Sequence, residues 1–117
     1  MSSPAGVYNI LADQGATFTR VITWKNSAGS PVNLTGYTAR MSLRTTYTDS
    51  TVALSLTTEN GRITLGGALG TITLNVDAAT MATLAAKSYV YDLELVNGVN
   101  VTRLLQGSFA NSPEVTR

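Results

Sequence analysis

Polar chemistry in this chain has to come from carboxylates, lysine, arginine and tyrosine, because its 117 residues include no histidine and no cysteine. That removes the usual general base near neutral pH, the commonest metal ligand, the ordinary serine triad and any thiolate site. Asp92 and Glu94 stand two apart in an alternating segment, which places both carboxylates on one strand face. Such a pair is where a glycosidase acid and base or a cation site would begin, but either needs further groups converging from elsewhere. The favoured reading is a solvated face. Arg40 and Arg44 also share a strand face and read as surface arginines available to acidic groups in the sheet or on a partner. Trp24, Tyr37 and Tyr47 are the candidates for an aromatic platform under a sugar, although a lone tryptophan in a small β domain more often anchors the core. Asn33-Leu34-Thr35 and Asn100-Val101-Thr102 match the glycosylation triplet and read as chance matches without a secretion signal. No catalytic, cofactor-binding or metal residue is assigned.

The elements that position these side chains read mostly as strands. Between Asp13 and Arg44 two alternating segments flank a turn-rich link. In the first, Phe18, Ile22 and Trp24 share a face with Arg20, whose charge suggests a place near a strand end. The link Lys25–Pro31 is rich in turn formers, and Asn33-Leu34-Thr35-Gly36-Tyr37 punctuates the entry to the next strand. There Tyr37, Ala39, Met41 and Leu43 alternate with Thr38, Arg40, Ser42 and Arg44. A strand over Val52–Leu56 is expected to form a hairpin with Arg62–Leu65 through Asn60-Gly61, because both turn residues tolerate positive φ. Gly66–Gly70 turns the chain into a strand with Ile72, Leu74 and Val76 inward. Asp77 is placed to cap one short helix near residues 78–86. Tyr89, Tyr91, Leu93 and Leu95 then alternate with Val90, Asp92, Glu94 and Val96, and Asn97-Gly98 leads to a last strand over Val101–Phe109. Seven to eight short strands with turns about every ten residues predict an all-β antiparallel β-sandwich. The segment from Leu84 to Tyr91 resembles a tyrosine corner, with Tyr89 either bonding back to the backbone upstream or packing at the rim.

Composition sets the class. A chain of this length makes one domain, burying roughly 65% of its unfolded surface, with residues 1–12 as an N-terminal arm or edge strand and residues 13–117 as the sandwich. Charged residues make up 13% of the chain, about half the roughly 25% of an average domain. Threonine, serine and asparagine stand in their place, and a neutral polar surface is cheaper to bury in a subunit contact than a charged one. A net charge of +1 with dispersed basic residues argues against nucleic acid as a partner. No apolar run is long enough to span a bilayer and the first basic residue is Arg20, which predicts no membrane association, no signal peptide and synthesis in a cytoplasm.

The succession of Asp13, an alternating strand, the Asn-x-x-Gly turn, Pro31-Val32-Asn33-Leu34-Thr35-Gly36-Tyr37 and a second alternating strand resembles the immunoglobulin-like modules of tailed phages. Within them it is most similar to the N-terminal domain of baseplate upper proteins. The likeness continues through Gly61–Leu65, the strand ending at Val76 and Ser88–Leu95, so it spans almost the whole chain. Asp13, Pro31, Leu34, Thr35, Gly36, Tyr89 and Asp92 match the pattern as fold positions.

The resemblance implies a non-enzymatic structural protein of a phage virion, without cofactors, acting by protein contacts as a tail, baseplate or fibre-attachment adaptor. Its partners would be other virion proteins and further copies of itself in a symmetric homo-oligomer. Because the sequence stops soon after the last expected strand, a short adaptor or a decoration (cement) subunit of capsid or tail fits better than a tip-bearing fibre. The alternative from another class is a carbohydrate-binding module for host recognition. Strand edges and the Met1–Leu11 arm are expected to add to neighbouring sheets.

Overall fold

The structure, a computed structural model, describes residues 6–113. Along the chain lie β1 (Gly6–Val7), β2 (Ile10–Asp13), β3 (Phe18–Thr23), β4 (Thr38–Arg44), β5 (Leu54–Thr57), β6 (Ile63–Leu65), β7 (Thr71–Val76), α1 (Ala78–Thr83), β8 (Ser88–Asn97) and β9 (Asn100–Ser112). The larger sheet runs β1/β2, β9, β8, β4, β5, and the smaller runs β3, β7, β6. This is the immunoglobulin order, with G, F, C and an added C′ strand in one sheet facing B, E and D in the other. β1 and β2 both lie along β9 as two pieces of one broken edge strand, so the sandwich has eight strands in effect.

Period-two alternation builds the core. Ala39, Met41 and Leu43 from β4, Leu54 and Leu56 from β5, and Tyr89, Tyr91, Leu93 and Leu95 from β8 turn inward to meet Phe18, Ile63, Ile72, Leu74 and Val76 of the facing sheet. Each of the large aliphatic chains contributes roughly 1.5–3 kcal/mol on full burial, which is what holds the two layers face to face. Leu34 from the NLTGY turn is buried with them, while Asn33 Oδ1 accepts from the Thr35 amide at 3.1 Å and hydroxyl at 2.7 Å. Gly36 takes φ 86°, a conformation closed to most side chains. Asp77 caps α1, accepting from the Thr80 amide at 3.1 Å, and hydrogen bonding from Thr80 holds its carboxyl below the usual range. The helix stops at Thr83, three residues short of the expected end.

The pairings differ from expectation in three places. Asn60-Gly61 does not close a hairpin: β5 pairs with β4 and β6 with β7, so the chain crosses between sheets there. A type I′ turn needs positive φ at both residues, and among the described residues only glycines adopt it. Asn60 instead uses its side-chain oxygen to accept from the amides of Thr57 and Arg62, both at 3.0 Å.

The second difference is that the sandwich is not wholly antiparallel. β1 and β2 run parallel to β9, from Gly6 opposite Leu105 to Asp13 opposite Ser112. No hairpin joins these distant segments, so nothing local imposes an antiparallel direction. Gly6 to Leu11 therefore belongs mostly to the chain's own sheet, and Ile10 is buried; the rest of the expected arm, residues 1–5, lies outside the described residues. At the break between β1 and β2 the Asn9 side chain accepts from the Ser108 amide at 3.1 Å. A Cβ on Gly107 would lie 2.5 Å from the Tyr8 carbonyl oxygen, so only glycine admits this close approach.

Third, Arg20 sits in the middle of β3, opposite Leu74, not at a strand end. Its guanidinium lies 5.4 Å from the Phe18 ring centroid and donates to the Leu11 carbonyl at 3.0 Å and the Tyr8 hydroxyl at 3.4 Å. The long apolar stem carries Nη1 and Nη2 to the open edges of the two sheets and clips them together, while Nε stays buried.

Candidate functional site

The β4–β8 register sets Arg40 opposite Glu94, Ser42 opposite Asp92 and Arg44 opposite Val90. The carboxylate pair and the arginine pair, unrelated in the sequence, thus meet on the outer face of the larger sheet. Tyr47, on the loop after β4, joins them in lining a groove of about 310 Å³. That volume is at the small end of ligand pockets, which run from roughly 300 to 1,000 Å³.

Each carboxylate in the groove faces its own guanidinium. Arg40 Nε lies 2.8 Å from Glu94 Oε1, and Arg103 Nε of β9 lies 3.4 Å from Asp92 Oδ2. This makes an ion-pair ladder across three strands in place of two carboxylates sharing a proton, and such exposed pairs contribute about 0.2–1 kcal/mol each. Arg44 is different. Its Nη1 donates to the Asp49 carbonyl at 2.8 Å, anchoring the loop that bears Tyr47, and it makes no ion pair among the described residues.

Arg103 was not singled out in the sequence, although the two-residue turn at Gly98-Val99 fixes its place opposite Glu94. Beyond it the register shifts by one at Leu104, a β-bulge. The shift lets both Leu104 and Leu105 pack toward the core and leaves Gln106 on the outer face opposite Asp92.

Trp24 and Tyr37 do not lie in one plane as a flat two-ring surface. Their rings meet edge to face, with centroids 6.0 Å apart at 85°, and both pack against the core. Of the three aromatic candidates Tyr47, 72% exposed, is the one that stands out in solvent, Trp24 and Tyr37 being partly buried.

At the start of β8 the tyrosine corner is present. Tyr89 donates its hydroxyl to the Ala85 carbonyl at 2.7 Å, and burial pushes its phenol pKa up. The Leu84 carbonyl accepts from Asn111 Nδ2 at 2.9 Å and Gln14 Nε2 at 3.2 Å, so three side chains hold the exit of α1. Two residues along, Tyr91 donates to the Tyr8 carbonyl, and its pKa is pushed up to about 12 by burial and then by the neighbouring Tyr8.

Compared with known proteins, the sequence matches no protein-family model and no curated protein.

Proposed function

We propose that this chain is a non-enzymatic structural protein of a tailed-phage virion, an adaptor at the tail, baseplate or fibre attachment that acts through protein contacts. It is made in the host cytoplasm and assembles with other virion proteins and with symmetry-related copies of itself. The sequence resemblance to phage immunoglobulin-like modules supplies the class. The observation that carries the reading is the outer face of the smaller sheet. Thr19, Val21 and Thr23 of β3 stand beside Asn75, Thr73 and Thr71 of β7, with Thr64 of β6 completing the middle row. These seven outward residues carry no charge, so a neighbouring subunit can cover them without stripping water from an ion. β3 also leaves one edge unpaired in its sheet, open to strand addition.

Imaging of intact particles tests the class: the reading requires the protein at a defined, repeated position on the tail or baseplate, and its absence from purified virions overturns it. Val21→Lys tests the face. The variant is expected to fold, because Val21 points outward, and to enter particles several-fold less than the parent, whereas Val21→Thr enters normally. Equal incorporation of Val21→Lys would remove this face from the assembly contacts.

A further inference from the structure

We propose that the groove on the outer face of the larger sheet is a binding site for a short acidic saccharide, one bearing a carboxylate on a sugar ring. The contact that selects it is Arg44. With Nη1 held by the Asp49 carbonyl, the Nε–Nη2 edge of its guanidinium has no acceptor among the described residues. This edge is the fork geometry that takes a carboxylate through two parallel hydrogen bonds. A lysine in that position would offer charge without the fork.

The rest of the groove suits hydroxyl groups. Ser42 and Asp92 lie directly opposite one another on β4 and β8, and the Arg40–Glu94 pair lies one pleat further along. Donors and acceptors therefore stand side by side along the groove, which suits hydroxyls because each both donates and accepts. Tyr47 offers an exposed ring on the groove's rim for the apolar face of a pyranose. An acidic peptide fits less well, because among the described residues only one guanidinium lining the groove lacks a carboxylate partner, and Asp92 and Glu94 would repel its further carboxylates.

The groove and the threonine face lie on different sheets, so the site stands independently of the assembly reading. The test is titration of the labelled full chain, followed by amide NMR, with glucuronate, galacturonate and N-acetylneuraminate. Glucose, galactose and a hexaglutamate peptide form the comparison arms. At least one acidic sugar is expected to shift the amides of Ser42, Tyr47 and Asp92, binding about tenfold or more tighter than its neutral counterpart. Arg44→Lys and Tyr47→Ala should each weaken that binding by about tenfold while leaving core resonances unchanged. The proposal is overturned if no acidic sugar moves these amides, if neutral sugars bind equally well, if Arg44→Lys binds as the parent does, or if only the peptide binds.

Discussion

Tyr91 shows how a single hydroxyl fastens a strand edge to the core. Its bond to the Tyr8 carbonyl crosses from β8 to the break between β1 and β2, and its phenol is held neutral up to about pH 12. In the unfolded chain tyrosine ionises near pH 10. The folded state therefore holds its proton over a window in which the unfolded state has lost it. Stability from this group is fully present below about pH 10 and is lost as pH rises to about 12, a difference on the order of 2 kcal/mol. Denaturant melts across this window should show falling stability, and Tyr91→Phe should flatten the fall while costing about 1 kcal/mol at neutral pH. Tyr89 shifts in the same direction, so some slope remains in the variant; an unchanged slope would refute the assignment to Tyr91. Single residues were legible where alternation was clean, as with Met41, Leu43, Leu93 and Leu95, all buried as their spacing required. Arg20 and Asn111 were not, because hydropathy gives no hint that a polar side chain will find backbone carbonyls across the fold. In Asn111 the available signal was phase: it continues the inward series from Phe109, and it is the one buried polar residue among those described.

Elements were read well from turns that close on themselves and poorly from turns that change sheet. Asn97-Gly98 and Asn60-Gly61 look alike in sequence, yet the first closes β8 onto β9 and the second carries the chain between layers. The difference lies in whether the flanking strands bury the same face, which only the assembled core decides. The candidate site was legible in its parts but not as a place. Asp92, Glu94, Arg40, Arg44 and Tyr47 each drew notice, while their convergence rests on the β4–β8 register, a pairing of segments some fifty residues apart in sequence. The broken edge strand has its own energetic test. Removing the chain through Leu11 takes away Ile10 and the Asn9 clamp on Ser108. By analogy with large-to-small core substitutions, the loss should exceed about 2 kcal/mol and lower the melting midpoint clearly in calorimetry. A truncated protein as stable as the parent would mean that the edge strand contributes nothing to the sandwich.

In the whole molecule, charge is partitioned between faces. Five of the chain's fifteen charged residues, Arg40, Arg44, Asp92, Glu94 and Arg103, gather on the outer face of the larger sheet, while the outward residues of β3, β7 and β6 in the smaller sheet include none. Salt separates the two proposed roles. Raising ionic strength from low to about 1 M, where the Debye length falls to roughly 3 Å, should weaken acidic-saccharide binding markedly and leave assembly through the threonine face nearly unchanged. Calorimetric titration and light scattering on particles measure the two, and salt-sensitive assembly with salt-insensitive sugar binding would reverse the assignment of faces. The parallel edge also bears on how the molecule carries tension. β1 enters at one end of the larger sheet and β9 leaves at the other, so a pull on residues 6 and 113 runs along the paired strands. The ladder from Gly6–Leu105 to Asp13–Ser112 would then be loaded in shear, its hydrogen bonds sharing the force together instead of peeling apart one by one.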